Sequence, residues 1–336
     1  MSRYASAHAN PKGPGDARPT ALQIIQDESM EGKLAGKVVV ITGGNSGIGL
    51  ETVRALAATG AFIYVTTRDV PRAKASLGDI YQPKQVKLVH MDQSSLASVR
   101  EAAKSILREV NKISILINNA GIMDVPELRH SRDGYELQFA TNHLAHFLLF
   151  QLLKPALLAA STPEFQSRVV MVSSSGHRTR GINASDDYHY QKGGYDPQLA
   201  YAQSKTANVY LANEIERRYG SQGLHATSVH PGIVKTNIAR FWPDEKIQGL
   251  MQIPQVLSYA KSPEQGAATT VWAAVGHEWE GRGGRYLAEC AETEKGPEAG
   301  DMGVPPNLYV SHTYKPDDEA RLWRDSLEMV GLPKEE

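Results

Sequence analysis

The chain has a single cysteine, Cys290, in 336 residues. That excludes an internal disulfide and a cysteine-built metal cluster, and it suits a reducing compartment. Charge of one sign is equally scarce. Lys and Arg number 36 against 37 Asp and Glu, for a net charge of -1, with no long block of either sign. Nucleic acid and anionic membrane surfaces usually call for a basic patch, so neither is expected as a partner, and no metal site is expected either. Long apolar runs are missing too. The most apolar stretch, residues 144–160, is interrupted by His146, Gln151, Lys154 and Pro155. It falls short of a membrane span and reads as a buried amphipathic helix. The first residues lack the charged-then-apolar layout of a secretory signal, and a cytoplasmic protein is the expectation.

What is present is ordinary for a globular chain, 41% hydrophobic and 22% charged, arranged as a repeated alternation of two periods. Residues 1–20 are rich in Pro, Gly, Ala and polar residues and read as a flexible N-terminal tail. Residues 37–42 then form a β-branched run of the kind buried on both faces of a sheet. The run ends in Gly43-Gly44-Asn45-Ser46-Gly47-Ile48-Gly49, and helical spacing resumes with Leu50, Val53, Leu56 and Ala57. A second apolar run at 62–65 completes a βαβ unit, which imposes a parallel pair and a right-handed crossover. Further strands are expected at 86–90, 113–117, 168–172, 226–229 and 284–287, with helices over 96–110, 134–160 and 200–219. The predicted fold is α/β: a single doubly wound Rossmann domain over residues 21–336, with a mostly parallel seven-stranded sheet covered by helices on both faces. Residues 176–200 and 237–261 break the alternation. Both follow strands, so both are expected to wall a pocket at the carboxyl ends of the sheet.

The residues that suggest chemistry lie at those strand ends. Gly43, Gly47 and Gly49 sit between a strand and a helix, where missing side chains and free helix N-H groups suit a pyrophosphate. The surrounding Asn45, Ser46 and Ile48 belong to the same turn. Tyr201 and Lys205 are four apart in a helix-compatible run and so share a face. A nearby ammonium favours a phenolate and brings a tyrosine, ordinarily near pKa 10, towards proton exchange with an alcohol or carbonyl. A second pair with the same spacing, Tyr188 and Lys192, runs into Gly193, Gly194 and Pro197 and is not expected to hold a helix. His177 and His189 are read as loop bystanders.

Taken together, Thr42 to Gly49, Asn118-Asn119-Ala120-Gly121, Asn142, Ser173-Ser174-Ser175, Tyr201-x-x-x-Lys205 and Pro231 to Thr236 resemble the short-chain dehydrogenase/reductase family over roughly residues 35–290. In detail the chain is similar to the branch of retinol dehydrogenases and WW-domain oxidoreductases, which includes fungal enzymes of secondary metabolism. The resemblance implies a catalytic set of Ser174, Tyr201, Lys205 and Asn142. Tyr201 would be the general acid/base, with Lys205 tuning it and holding the nicotinamide ribose. Ser174 would polarise the substrate oxygen, and Asn142 would organise a water leading to the lysine. It also implies that Asp92 meets the adenine amine, that Asn119, Ala120 and Gly121 pass close to the cofactor ribose, and that Pro231, Gly232, Val234 and Thr236 hold the nicotinamide carboxamide. The stretch between Ser174 and Tyr201 is longer than in many family members, which reflects the 176–200 insertion.

Cofactor choice has its own physical signal. An acidic residue at the end of the second strand would accept from a ribose hydroxyl and repel a 2′-phosphate. Here Thr67 and Arg68 stand at that point, and a guanidinium suits a phosphate. Asp69 is the complication, as a neighbour able to neutralise Arg68. NADP(H) is expected, with NAD as the alternative. The expected activity is oxidoreduction at a CH-OH group, interconverting a small hydrophobic ketone or aldehyde and its alcohol, in a homodimer or homotetramer. Trp242, Ile247, Leu250, Met251, Ile253 and Val256 would line the pocket or pack as a buried helix. The competing reading is a nucleotide-binding regulatory or scaffold protein on the same fold.

Overall fold

The structure, a computed structural model, describes residues 2–298 and 308–334. Met1 and the parts of the expected domain at 299–307 and 335–336 lie outside the described residues. Eight strands form the main sheet: β1 (Val38–Thr42), β2 (Phe62–Thr67), β3 (Val86–His90), β4 (Ile115–Asn118), β5 (Ser167–Val172), β6 (Leu224–His230), and, after two short accessory strands, β9 (Arg285–Ala288) and β10 (Ala291–Glu292). The accessory strands are β7 (Ile233–Val234) and β8 (Ala260–Lys261), which pair with each other in parallel. The sheet order is β10-β9-β6-β5-β4-β1-β2-β3. All its neighbours are parallel except the β9-β10 edge, so the sheet has one short antiparallel strand more than the expected seven.

The β-branched runs explain the two-sided burial. In β1, Val39 and Ile41 point into one core while Val40 points into the other. Ile115 and Ile117 of β4 are likewise separated from Leu116, as the period of two requires. One core is closed by the helices Leu96–Leu107, Ala145–Ala160 and Pro197–Tyr219, the other by Ala21–Asp27, Gly47–Ala58 and Ala268–Val275. The continuous helical stretch Leu137–Ala160 is long and apolar enough to cross a membrane, but most of it is buried inside the protein. It serves as a core helix. Because β1 lies between β2 and β4, chain direction across the sheet reverses at the β1/β4 seam. In doubly wound sheets the crevice beyond the strand ends at such a seam is where ligands bind.

Three regions depart from the sequence reading. The N-terminal residues are no loose tail: Tyr4 is buried at 6% exposure and Arg18 at 2%, because polar residues there find partners that composition does not reveal. The 176–200 insertion is tied down as well. Tyr188 donates from its hydroxyl to Asp325 (2.7 Å), Arg321 donates to that hydroxyl (2.9 Å), and Gln203 donates to the Tyr188 carbonyl (2.9 Å). Finally, the helix Pro316–Met329, which no expectation covered, buries Leu322, Trp323 and Leu327 against the core that holds the Tyr201 helix.

Candidate active site

The seam is stitched by side chain to backbone contacts at the ends of β1 and β4. Thr42 Oγ1 accepts from the N-H groups of Asn119 (2.9 Å) and Ala120 (3.0 Å), while Asn119 donates to the carbonyls of Thr42 (2.9 Å) and Gly43 (3.2 Å). The Thr42 hydroxyl, already an acceptor twice, turns its hydrogen to His146 Nε2 at 2.9 Å. His146 therefore carries its proton on Nδ1 and donates to the Asn142 carbonyl at 2.8 Å. Burial pushes this imidazole down to about 3, against the pull of that hydrogen bond, so it stays neutral. Asn118 is fully buried and donates to Met171 Sδ, a structural position.

Beyond β1 the glycine turn opens the helix Gly47–Ala58, whose N-cap Ser46 makes no side-chain capping bond. Its first amides are thus left to an outside acceptor, as an anion site needs. Gly47 sits at φ +51°, and a Cβ there would come within 2.9 Å of Thr236 Cγ2, so the turn after β6 lies directly over the glycine turn. Asn45 and Ile48 are half-buried beside it. Arg68 is exposed at the end of β2. Asp69 does not neutralise it. That carboxylate caps the helix Val70–Leu77, accepting from Arg72 N at 3.0 Å. Arg240, which the sequence reading passed over, has its pKa lowered by burial and further by the charge of Arg68. Among the described residues neither guanidinium has a carboxylate in ion-pair range. Asp92 accepts from Ser94 N (3.0 Å) and Ser94 Oγ (2.7 Å), and Ser95, not Asp92, caps the next helix. Burial raises the Asp92 pKa, but the Ser94 bonds and the charges of Arg132 and Arg68 leave it lowered on balance.

Of the four catalytic candidates, Asn142 and Lys205 meet at Gly121, and Ser174 and Tyr201 meet at Gly176. The long helix through Asn142 widens to a π turn over Ala140–Leu144, with Ala145 N donating to Ala140 O, a distortion frequent at functional sites. Asn142 pairs with the main chain of Ile122 both ways, accepting from its N-H and donating to its carbonyl, each at 2.9 Å, and also donates to Ser204 Oγ at 2.9 Å. A Cβ on Gly121 would lie 3.2 Å from Asn142 Oδ1 and 3.4 Å from Lys205 Nζ, so both groups flank this glycine. The three serines after β5 separate cleanly. Ser173 Oγ donates inward to the Lys205 carbonyl (2.8 Å) and Ser175 N donates to His230 (3.1 Å). Ser174 Oγ accepts from Gly176 N (3.1 Å) and lies across Gly176 from the Tyr201 ring.

Tyr201 and Lys205 share the buried face of the helix Pro197–Tyr219, which Asp196 caps through Gln198 N and Leu199 N. Lys205 Nζ stands 5.6 Å from the Tyr201 ring centroid and donates to the Val172 carbonyl at 3.0 Å. The acidity differs from the expectation. Burial pushes Tyr201 up to about 12, a hydrogen bond with Ser174 pulls it back, and Asp124 raises it further. Burial pushes Lys205 down to about 8. The ammonium is engaged with a carbonyl and partly desolvated, so its pull on the phenol is offset. Tyr188 and Lys192, by contrast, lie apart from the seam: Tyr188 meets Asp325 and Lys192 meets Asp186. His177 is buried between Ser174 O and Thr313 Oγ1, a structural role, and His189 Nδ1 receives the N-H of Glu136.

Pro231, Gly232, Val234 and Thr236 form the turn beyond β6, in which Val234 pairs with Lys261 and Thr236 Oγ1 accepts from Ile238 N. The two insertions meet on the loop after β4. Tyr195 donates to the Val125 carbonyl (2.7 Å), and Trp242 Nε1 donates to Asp124 Oδ2 (2.6 Å). Lys246 adds a 3.7 Å contact to Asp124 and lies 4.1 Å over the Trp242 ring. No residue of the helices Asp244–Gln252 and Pro254–Tyr259 is buried, so the apolar residues there do not pack as a core helix. Asp124 and Tyr195 carried no local signal, while Thr42 was read only as part of the glycine motif and Trp242 only as an apolar lining residue. His146 carried one, lying a helical turn beyond Asn142.

The family profile described as short chain dehydrogenase matches residues 37–246. Short-chain dehydrogenase/reductase prx1 of Penicillium roqueforti is 46% identical over 330 residues, 98% of this chain and 95% of that protein. Retinol dehydrogenase 13 of Homo sapiens is 35% identical over 89% of this chain and 86% of its own. A crystallographically solved, uncharacterised protein from Mycobacterium Paratuberculosis superposes with a TM-score of 0.66 at 29% identity, over 89% of this chain and 95% of that one. The chain belongs to the short-chain dehydrogenase/reductase family of oxidoreductases, and its relatives include the retinol dehydrogenase-like proteins to which the motifs pointed.

Proposed function

We propose that this protein is an NADP(H)-dependent dehydrogenase/reductase interconverting a hydrophobic ketone or aldehyde and its alcohol. The observation that carries the reading is the convergence of Ser174, Tyr201, Lys205 and Asn142 at the end of the β1/β4 seam. The residues present fit a nicotinamide dinucleotide: uncapped helix amides behind the glycine turn, a floor of Ala120 and Gly121 beside Lys205, and the Arg68 guanidinium at the end of β2, which has no carboxylate in ion-pair range among the described residues. When bound, the nicotinamide supplies or accepts the hydride. The chain's own part is to hold the substrate oxygen between Ser174 and Tyr201 and to pass one proton through the Tyr201 hydroxyl. Lys205 and Asn142 position that hydroxyl's surroundings, and the half-buried Trp242 and its apolar neighbours turn water away. Measuring turnover with NADPH and NADH across a panel of apolar ketones and alcohols tests the reading, and absence of turnover with every pair would overturn it.

Two further expectations follow from this site. Arg68→Asp places a carboxylate where a 2′-phosphate would lie, and is expected to weaken NADPH roughly tenfold or more while sparing NADH, because charge-assisted phosphate bonds are among the stronger ones. Titration by nucleotide fluorescence reads both constants, and an equal loss for the two nucleotides would count against a 2′-phosphate contact. Trp242→Phe keeps an aromatic ring but removes the indole N-H that bonds Asp124. It is expected to raise the substrate KM several-fold, in line with a lost hydrogen bond to a charged group, with the nucleotide constants unchanged.

A further inference from the structure

The N-terminal arm reaches the back of the candidate site. Arg18, 2% exposed, donates to the carbonyls of Tyr259 (2.9 Å), Ala260 (2.6 Å), Ser258 (3.3 Å) and Gly13 (3.1 Å). Its charge is matched by Asp16, 2.8 Å from Nε. Burial alone would raise the Asp16 carboxyl, yet the Arg18 guanidinium and neighbouring backbone N-H groups hold it down to about 2. Gln265 completes the joint. Its amide nitrogen donates to the carbonyls of Asp16 and Arg18, while its oxygen accepts from Gly15 N and Ser262 N. A second tie lies nearby, where His8 Nε2 meets Glu289 at 3.2 Å and Glu289 meets Lys261 at 3.0 Å.

The backbone that Arg18 grips is the exit of the pocket-side segment and the start of β8. Through β8 it is one step from the site, because Ala260 and Lys261 pair with Ile233 and Val234. The Lys261 side chain also packs on the turn, 2.9 Å from where a Cβ on Gly232 would lie. Both Arg18 and residues 258–261 fall outside residues 37–246, which the family profile matches. We infer that Arg18 is a positioning residue: by holding the carbonyls of residues 258–260 it sets β8, and through β8 it sets the Pro231–Thr236 turn that faces the nucleotide and the far hinge of the segment over the substrate.

This inference rests on the nucleotide reading above for its binding arm only. In the full-length protein, Arg18→Ala is expected to raise the dissociation constant of the preferred nicotinamide nucleotide roughly tenfold, the scale on which slight misplacement of a site is felt. Trypsin cleavage after Arg240 and Lys246, followed by mass spectrometry, is expected to accelerate by a similar factor. Arg18→Lys keeps one donor and the charge, and is expected to fall between the two; it is also the variant to read if the alanine form does not fold. Ile24→Val, in the buried arm helix Ala21–Asp27, serves as the comparison, since it loosens the arm without touching β8. Unchanged affinity and cleavage in Arg18→Ala would overturn the inference, as would shifts equal to those of Ile24→Val at the same loss in melting temperature. Cleavage needs no nucleotide. Failure of the nucleotide reading would therefore appear separately, as absent binding in the unsubstituted protein, with the grip of Arg18 still judged by proteolysis.

Discussion

Tyr201→Phe is expected to lower turnover by roughly 10²–10⁴-fold, the range that positioned acid/base groups contribute, while nucleotide binding stays within a few-fold of the unsubstituted protein. The substitution removes one oxygen and leaves the buried ring, so the fold is undisturbed. The pH dependence sharpens the test. Burial holds the phenol up to about 12, so it is protonated throughout the neutral range. Reduction draws on the protonated form and is expected to be flat near neutrality, falling only as the pH climbs towards the phenol's pKa. Oxidation draws on the deprotonated form, so its rate is expected to rise with pH. In the phenylalanine variant the residual rates should lose the part of the profile that belongs to residue 201. Steady-state rates in both directions from pH 6 to 10, set beside nucleotide titrations, check this. Turnover retained at the unsubstituted level would remove Tyr201 from the chemistry.

Gly49→Ala is expected to be the most damaging change in the glycine turn. A Cβ at this position would stand 2.2 Å from the Gly43 carbonyl oxygen and 2.6 Å from Asn119 Nδ2, and the nearer of these is backbone, which yields least. The methyl group would drive apart the bonds by which Asn119 holds the ends of β1 and β4 together. Overpacking of this kind costs about 1–3 kcal/mol. The greater effect is on the nucleotide, whose affinity is expected to fall roughly a hundredfold as the amides of the turn are misplaced. Gly249 provides the contrast. It lies in the exposed helix Asp244–Gln252 with open space around it, and alanine there is expected to stabilise by roughly 0.5–1 kcal/mol from helix propensity. Thermal melts and nucleotide titration of the two variants separate a local steric clash from a general intolerance of alanine.

Some of this was open to a reader of the sequence because it depends on neighbours in the chain. The strand at 38–42 is β-branched at every position, the pattern of a sheet buried on both faces. The glycines at 43, 47 and 49 must be read with the strand before them and the helix after. Tyr201 and Lys205 are one helical turn apart, so their shared face follows from the rise of the helix. The capping box at Ser262 and Gln265 is equally local, with Ser262 Oγ accepting from Gln265 N and Gln265 Oε1 accepting from Ser262 N. The helix Pro316–Met329 is local in the same sense, since its buried apolar residues at 322, 323 and 327 follow helical spacing.

Other features were settled only when distant segments met. Nothing near Arg18 announces that its partners are the carbonyls of residues 258–260. Nothing near Asp124 points to Trp242, more than a hundred positions away. The acidity of Tyr201 belongs to the same class: helical spacing brings Lys205 to its side, but packing buries both and gives the ammonium to the Val172 carbonyl, which reverses the expected shift. Backbone propensity and periodicity are written over a few residues and so determined the strands, the glycine turn and the Tyr-Lys face from sequence alone. Desolvation and the pairing of buried polar groups depend on what the whole chain encloses, and only the tertiary structure decided them.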